Sequence, residues 1–241
     1  MSGHSKWNNI KHKKEKSDAA KAKIFTKIGK EMAVAIKAGG PDPNNNSKLR
    51  DLIAKAKANN VPNENIQRTI KKFTDNSDIN FEEITYEGYG PSGVAVIVET
   101  STDNRNRTAG NVRAWFSKYG GNMGQNGCVG YLFEEKGVIT IIDEDDEIDE
   151  DKMMEDALEC GAEDIKCDEG EYTIYSSPEE LSAVRDAIIA LGYKIDTADL
   201  AKVPSTYVEL TSEEDIENME KMLDKFNEDD DVTAVFTNWD N

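Results

Sequence analysis

The first thirty residues contain nine lysines and only two acidic side chains, Glu15 and Asp18. Lysine ammonium groups bind phosphate as point charges and do not read a base sequence. Because crowded like charges repel one another, a segment of this kind is typical of a protein with a polyanionic partner. Trp7 and Phe25 can stack on exposed bases of such a partner. The lysines predicted here to contact nucleic acid are Lys6, Lys11, Lys13, Lys14, Lys16, Lys21, Lys23, Lys27 and Lys30.

Further cations extend this prediction beyond residue 30. Six of them belong to the predicted helical region that follows, and they are Arg50, Lys55, Lys57, Arg68, Lys71 and Lys72. Arg105 and Arg107 lie where a predicted strand meets the first turn of a predicted helix. Arginines gain nothing from the helix dipole at that position, which favours a role in binding phosphate or an acidic protein surface. Ion pairs with the chain's own carboxylates are the alternative for these two arginines.

The charge of the chain is divided between its two parts. Residues 1–75 contain 17 Lys and Arg against 7 Asp and Glu, a net charge of +10, and the remaining residues contain 12 against 41, a net charge of −29. The acidic part would repel a phosphate backbone, so nucleic acid is expected at the amino-terminal part or in a cleft beside it. Two alternatives stay open for this basic part, namely a merely solvated face and a peptide that docks on an acidic protein.

The residue types that usually carry catalysis are poorly placed in this sequence. Both histidines, His4 and His12, lie in the basic amino-terminal segment. Cys160 and Cys167 have no histidine near them, so neither a thiol nucleophile nor a zinc site is supported. No phosphate-binding GxxxxGK[ST] loop, GxSxG or HExxH motif occurs. We therefore expect a protein that is not an enzyme, with no cofactor, no metal and no small-molecule substrate.

Two short segments imitate ligand-binding motifs. Residues 88–93 match GxGxxG, but they precede a predicted strand instead of opening a helix, and Pro91 lacks the amide donor that a pyrophosphate needs. A tight turn is favoured there. The acidic run at residues 143–151 lacks the glycine and glutamate of a calcium loop in register. We interpret that run, and the shorter one at residues 228–231, as solvated loops.

Composition also indicates where the protein is found. No apolar run approaches the ~20 residues that are needed to cross a bilayer. The basic amino terminus lacks the apolar stretch and cleavage site of a secretory signal. Three cysteines are too few and too scattered to form a disulfide framework. These features together predict a reduced, cytoplasmic protein that does not enter membranes.

The amino-terminal third is predicted to be an arm followed by helices. Residues 1–20 are polar and nearly without core residues, and we interpret them as a flexible basic arm. Residues 21–78 show apolar side chains at helical spacing, interrupted at Gly39-Gly40-Pro41 and at Asn60-Val61-Pro62. The two helices beside the second break suggest a DNA-binding helix-turn-helix, but an ordinary helical hairpin is the preferred interpretation.

The remaining residues alternate strands and helices and predict an α+β protein. Residues 135–203 have the β-α-β-β-α-β order of a ferredoxin-like domain. Residues 79–134 supply half of a similar unit, with strands predicted at Val94–Val98 and Val129–Phe133, and residues 204–241 supply the other half, starting with a strand at Tyr207–Leu210. The prediction is therefore three domains, a basic helical one and two ferredoxin-like α/β domains, of which one is inserted in the other.

Three long blocks of the sequence resemble the YebC/PmpR family. They are MSGHSKWNNIKHKKEKSDAAKAKIFTK, GGPDPNNNSKLRDLIAKAKANNVPNENIQRTIKK and YEGYGPSGVAVIVETSTDNRNRTAGNVRAWFSKYGGNMG, and together they cover about half of the chain. The chain departs from the family pattern at Lys72-Phe73, where a glycine is usual, and at Cys128, where a serine is common. The residues that match family motifs include Gly3, Trp7, Lys11, Lys13, Lys14, Phe25, Lys27, Asn104, Arg105, Arg107 and Arg113.

The resemblance implies a three-domain cytoplasmic regulator whose matching residues contact nucleic acid. Family members are described as DNA-binding transcriptional regulators, whereas a mitochondrial relative activates translation and some bacterial relatives relieve stalling at the ribosome. A non-enzymatic DNA-binding regulator is therefore expected, and a ribosome-associated factor that contacts ribosomal RNA or tRNA is the alternative. The lysine-rich arm joined to a large acidic body favours an RNA partner, whereas the family description favours DNA. An acidic protein-interaction module without nucleic acid is the third possibility.

Overall fold

A computed structural model describes residues 18–75, 80–143, 147–168 and 170–240 of the protein. Seven α-helices occur within these ranges, and they are α1 (Asp18–Gly39), α2 (Ser47–Ala58), α3 (Asn63–Asp75), α4 (Arg105–Lys118), α5 (Glu150–Glu159), α6 (Leu181–Ala190) and α7 (Glu213–Glu228). Ten strands occur within the same ranges, and they are β1 (Glu82–Tyr89), β2 (Ala95–Thr102), β3 (Asn122–Met123), β4 (Phe133–Ile142), β5 (Asp164–Asp168), β6 (Glu171–Ser176), β7 (Thr197–Pro204), β8 (Val208–Glu209), β9 (Val232–Thr237) and β10 (Trp239–Asp240).

Helices α1 to α3 form the helical domain, as the apolar spacing predicts. Gly40 adopts a positive φ of 82° and ends α1, a conformation that favours glycine. The buried Asn46 side chain then caps α2, since its Oδ1 accepts from the Leu49 amide at 3.0 Å and its Nδ2 donates to Ala35 O at 2.8 Å. The Asn46 side chain thus gives a backbone amide in the first turn of α2 its hydrogen-bond partner, and it also links α2 to α1. The core of this domain contains Ile28, Met32, Ala35, Ile36, Leu49, Leu52, Ala56 and Ile66.

Four antiparallel strands in the order β3-β1-β2-β9 form the sheet of a second unit, which we call the outer domain. Helices α4 and α7 cover one face of this sheet, where Val96, Val98, Phe116 and Phe226 are fully buried. The other face buries a smaller apolar cluster of Ala95, Ile97 and Val129. Helix α1 contacts β2 and β9, so the helical domain packs directly against the outer domain.

The strands of the outer domain differ in part from the prediction. The strand predicted at Val129–Phe133 is wrong, because residues Gly130–Leu132 form a 3₁₀ turn and Phe133 begins β4 in the other sheet. The strand predicted at Tyr207–Leu210 is reduced to β8, which pairs with β10 outside the main sheet. Their place is taken by β1, which sequence reasoning missed. Its sequence EEITYEGY begins with two exposed glutamates, so it lacks the regular apolar alternation that identifies a strand.

The second sheet has the order β5-β6-β4-β7, is antiparallel throughout and carries helices α5 and α6. This is the ferredoxin-like arrangement predicted for the inserted segment, and we call it the inserted domain. Its core includes Ile139, Ile141, Met153, Ile174 and Ile188. The α+β class with a helical domain and two α/β domains is therefore confirmed. The last strand, predicted near Tyr193–Asp196, begins four residues later than Tyr193, at Thr197.

A buried carboxylate holds the loop that leads from the outer domain into the inserted domain. Glu87 on β1 is 9% exposed and accepts hydrogen bonds from the amides of Gly127 at 2.7 Å, Val129 at 2.9 Å and Gly130 at 2.7 Å. Burial acts to raise the pKa of Glu87, but the three amide donors outweigh it and lower the pKa. The backbone amides of this loop therefore donate to a charged carboxylate instead of to the carbonyl groups of a helix or a sheet.

Replacing Glu87 with Gln is expected to lower the free energy of unfolding by about 2–3 kcal/mol. The amide has no negative charge, and its NH2 group would face backbone N–H groups that need an acceptor. Urea unfolding at neutral pH measures this change. The control is Glu83→Gln on the same strand, since Glu83 is exposed and its ion pair with Lys48 is a surface one, for which about 0.5 kcal/mol is expected. Equal unfolding midpoints for the two variants would contradict the structural role of Glu87.

Candidate nucleic-acid interface

The structure covers only part of the predicted lysine cluster. Lys6, Lys11, Lys13, Lys14 and Lys16 lie outside the described residues, and Lys21 lies within α1. The remaining members, Lys23, Lys27 and Lys30, follow one another at helical spacing on α1.

These three lysines of α1 contact residues 227–231, which we call the acidic segment. Lys23 Nζ donates to Glu228 O at 3.3 Å, and Lys27 Nζ donates to Asn227 O at 3.0 Å. Both acceptors belong to the end of α7, where backbone carbonyls have no partner within the helix. Lys30 Nζ donates to Asp230 O at 2.8 Å and to Asp231 Oδ1 at 2.7 Å. The lysines of α1 therefore cap the carboxyl end of α7 and hold the helical domain on the outer domain.

Asp231 is the centre of this contact. Its side chain is 5% exposed, and its Oδ2 accepts from Arg107 Nη2 at 2.6 Å, from Thr108 Oγ1 at 2.9 Å and from Thr102 Oγ1 at 3.1 Å. Burial acts to raise the pKa of Asp231, but the hydrogen bonds from Lys30, Arg107 and Thr108 outweigh it and lower the pKa to about 2. Asp231 is thus a fully ionised, buried carboxylate with a donor from each of two domains.

Helix α4 also contacts the acidic segment. Arg107 in its first turn binds Asp231, and Asn111 one turn later donates to Asp229 Oδ2 at 3.2 Å. Arg107 also binds Asp103 at 2.8 Å. Of the two predicted roles for Arg107, the structure shows the ion pairs with the chain's own carboxylates.

Lys55 also bridges two domains. Its Nζ lies 3.1 Å from Asp199 Oδ1 on β7 of the inserted domain, and Glu31 on α1 lies close by. Burial acts to lower the pKa of Lys55, but Asp199 and Glu31 outweigh it and raise the pKa. Burial raises the pKa of Glu31, and the nearby charge of Lys55 reduces that rise without cancelling it. This group lines a cleft of about 930 Å³ between all three domains, beside a second bridge in which Lys202 of β7 binds Glu99 of β2 at 3.0 Å.

Other predicted cations of the helical domain face solvent. Arg50, Lys57 and Lys71 are exposed and make no hydrogen bond or ion pair with the part of the chain that the structure describes. Arg68 makes only an exposed pair with Glu64 at 3.5 Å, a kind of contact that contributes little. Lys72 lies over the ring of Phe73 at 5.2 Å. These five side chains are available to a partner of the helical domain.

Helix α4 carries the remaining predicted cations. Its sequence, RNRTAGNVRAWFSK, contains four basic residues and no acidic one, within the part of the chain that is otherwise strongly acidic. Arg105 and Arg113 are exposed, and neither forms a hydrogen bond or ion pair with a described residue. Lys118, which the sequence prediction left out, lies at the far end of the helix over the ring of Tyr119 at 5.2 Å. The exposed positive charge therefore continues from the helical domain onto the outer domain.

Sequence reasoning missed the role of the acidic segment. Its four consecutive acidic residues were interpreted as a solvated loop, whereas Asp231 is buried and binds two cations. The spacing of Lys23, Lys27 and Lys30 is the signal that was available, because lysines on one stripe of a helix can face one partner surface. The distance of about 200 residues between the partners hid the pairing.

Two kinds of site are not found among the described residues. In those ranges no group of three or more His, Cys, Asp or Glu side chains is arranged to hold a metal ion. No helix there has both the length and the apolar character that a membrane span requires.

Comparison with known proteins gives matches along the whole chain. The family model described as the TACO1/YebC protein N-terminal domain matches residues 5–76, and the one described as the TACO1/YebC second and third domain matches residues 81–239. A relative from Acetivibrio thermocellus, named a probable transcriptional regulatory protein, is 54% identical over 99% of this chain and 99% of its own length. A relative of the same name from Lachnoclostridium phytofermentans is 51% identical over 100% of both chains.

A solved structure shares this fold. The crystal structure of a conserved hypothetical protein from Aquifex aeolicus superposes with a TM-score of 0.83 at 44% sequence identity, covering 92% of this chain and 91% of the other. The relatives and the solved structure therefore agree with the two family models in both sequence and architecture. The chain belongs to the TACO1/YebC family.

Proposed function

We propose that this protein is a non-enzymatic, nucleic-acid-binding regulator of gene expression that acts in the cytoplasm as a DNA-binding transcriptional regulator. The observation that carries the proposal is the division of charge, +10 in residues 1–75 against −29 in the rest. A phosphate polymer is attracted by the first part and repelled by the second, which restricts where it binds. The names of the relatives, probable transcriptional regulatory proteins, support a regulator.

The proposed mechanism assigns different tasks to the cations. The lysines of the arm, residues 1–20, grip the phosphate backbone together with exposed side chains such as Arg50, Lys57 and Lys71. Lys23, Lys27, Lys30, Arg107 and Lys55 instead hold the helical domain (residues 21–78) against the outer domain (79–134 and 204–241) and the inserted domain (135–203). This division supports binding with a fixed orientation, because the two domains of net negative charge are held against the one that attracts nucleic acid.

A second candidate function is a ribosome-associated translation factor that contacts ribosomal RNA or tRNA. Thirteen of the first 57 residues are lysine, and a lysine-rich surface holds phosphate without distinguishing bases. That property suits an RNA whose shape is recognised as well as it suits a DNA duplex. A third candidate is docking on an acidic protein, since exposed cations such as Arg50 and Lys71 bind carboxylates as well as phosphates.

Binding of a DNA duplex or a structured RNA is expected to weaken steeply with salt. Each neutralised phosphate contributes a slope of about −0.9 in log K against log salt for duplex DNA, so five arm lysines predict a slope of about −4 to −5. Fluorescence anisotropy between low and physiological salt, at one pH, measures the slope. A slope near zero for both ligands would remove the electrostatic basis of the proposal.

The natural ligand is identified by crosslinking in growing cells. Nucleic acid that co-purifies with the crosslinked protein is sequenced, and a variant in which Lys11, Lys13 and Lys14 are replaced with Glu provides the background. Promoter fragments enriched over that background support the DNA-binding regulator. Enriched ribosomal RNA or tRNA supports the translation factor instead, and no enrichment of either contradicts both.

A further inference from the structure

We propose that Arg105, Arg113 and Tyr86 of the outer domain form a phosphate-binding site for the nucleic-acid backbone. The inference rests on the proposed function and extends the binding surface beyond the basic amino-terminal part. It assigns a role to a tyrosine that neither the sequence prediction nor the domain contacts explain.

The first observation is an orphaned hydroxyl. Tyr86 lies on β1 opposite Val98, on the face of the sheet that α4 covers, and is 8% exposed. Its hydroxyl is buried and has no hydrogen-bond partner among the described residues. A buried hydroxyl without a partner destabilises a folded protein, so such groups are rare and are often reserved for a ligand. Phenylalanine would fill the same space without that penalty.

The second observation is a pair of arginines on α4, the helix that packs against β1. Arg105 and Arg113 stand two turns apart on α4, and both are exposed and unpaired within the described ranges. Burial raises the pKa of Tyr86, the guanidinium groups of Arg105 and Arg113 oppose that rise, and the Asp231 carboxylate adds to it. The two arginines supply charged donors, and the tyrosine supplies a neutral donor that stays protonated at neutral pH.

The ligand that fits this donor set is a phosphate group. A phosphodiester oxygen accepts from arginine and tyrosine alike, and the site lacks an acidic residue on α4 that would repel it. Asp103 and Asp231 lie near the start of α4, but both are already bound by Arg107. Arg107 and Lys30 together balance the two negative charges of Asp103 and Asp231, so the charges of Arg105 and Arg113 stay available to a ligand.

The site predicts opposite effects on binding and on stability. Tyr86→Phe is expected to weaken binding of a labelled DNA duplex about tenfold, because one hydrogen bond to a charged oxygen is lost. The same change is expected to raise the Tm of the free protein by a few degrees, because it removes a buried polar group without a partner. Arg105→Gln with Arg113→Gln is expected to weaken binding about 50-fold at 0.1 M salt.

The control is Tyr175→Phe in the inserted domain. Tyr175 is also buried, and its hydroxyl likewise has no partner among the described residues, but its electrostatic neighbours are Tyr207, Asp164 and Glu171 instead of arginines. This variant is expected to gain stability as Tyr86→Phe does, with unchanged binding. A packing effect of losing a hydroxyl would appear equally in both variants, whereas a phosphate contact appears only at Tyr86.

A double-mutant cycle tests the site directly. In the Arg105→Gln, Arg113→Gln background, Tyr86→Phe is expected to change binding less than twofold, since its phosphate is no longer held. A tenfold loss in both backgrounds, no loss in either, or a lower Tm for Tyr86→Phe would overturn the inference. If the arm variant of Lys11, Lys13 and Lys14 loses binding while the arginine variant does not, the proposed function stands and this site fails.

Inorganic phosphate distinguishes the source of the ligand. Its effect on Tm is compared with that of chloride at equal ionic strength, in the wild-type protein and the double arginine variant. The proposal expects phosphate to stabilise only the wild-type protein and a DNA duplex or RNA to compete with it. Stabilisation by phosphate without competition by nucleic acid, or no stabilisation by phosphate, would overturn this site, whereas the proposed function is tested separately by the variant of Lys11, Lys13 and Lys14.

Discussion

Replacing Asp231 with Asn is expected to lower the free energy of unfolding by about 3–5 kcal/mol, the usual effect of breaking a buried ion pair from one side. The carboxylate binds Lys30 at 2.7 Å and Arg107 at 2.6 Å while it is 5% exposed. Without it, the half-buried Lys30 ammonium loses its counter-charge, and the helical domain loses an ion pair with the outer domain. Chemical unfolding at neutral pH measures the change.

The dependence of stability on pH gives an independent test. The pKa of Asp231 is lowered to about 2 in the folded protein, against about 3.9 in an unfolded chain. The stabilisation is therefore complete above about pH 5 and is lost as the pH falls toward 2, a loss of about 2–3 kcal/mol. The difference in stability between wild type and Asp231→Asn is expected to shrink over that range. A constant difference would show that the charge of Asp231 is not what stabilises the fold.

Asp103→Asn is the matched control for Asp231→Asn. Asp103 binds the same arginine, Arg107, at 2.8 Å, but its side chain is 53% exposed. An exposed ion pair is screened by solvent, so a change within about 0.5 kcal/mol is expected. Equal losses for the two variants would mean that Arg107, and not the buried contact between two domains, determines the stability.

Replacing Lys11, Lys13 and Lys14 with Glu is expected to weaken binding of a DNA duplex or structured RNA by about 10²–10³-fold at 0.1 M salt. Each phosphate contact accounts for nearly a factor of ten at that salt concentration, and three contacts are lost together. The Tm is expected to change little, because residues 1–20 contain few apolar side chains and lysines in such a segment contribute weakly to folding. Anisotropy titrations and thermal unfolding of the same preparations measure both quantities.

The control for this variant carries the same net charge. Lys152, Lys166 and Lys194 are exposed lysines of the inserted domain, and replacing all three with Glu changes the total charge by the same amount. Binding is expected to fall only a few-fold, through long-range repulsion that salt screens. If both variants lose affinity equally, net charge and not the arm determines binding. If neither loses affinity, the arm makes no contact with nucleic acid.

The amino-acid sequence by itself determined the helical domain, the inserted domain and the division of charge. Apolar residues at helical spacing, such as Ile28 and Met32, identify a helix because the pattern involves residues only a few positions apart. The order of predicted strands and helices in residues 135–203 likewise identifies the topology of the inserted domain. Strand β1 escaped prediction because it begins with two exposed glutamates, and because Glu87 is buried against backbone amides that surround it only in the folded protein.

Only the tertiary structure decided which cations are engaged within the chain. From the sequence alone, Lys30 and Arg107 cannot be distinguished from Arg50 and Arg113, because all four are basic residues predicted to contact nucleic acid. Lys30 and Arg107 are bound because Asp231, about 200 residues from Lys30 in the sequence, folds between α1 and α4. Coulomb attraction depends on distance in space and on exclusion of water, and neither quantity can be obtained from spacing along the chain. The same holds for the Tyr86 hydroxyl, whose lack of a partner is a property of the packed protein alone.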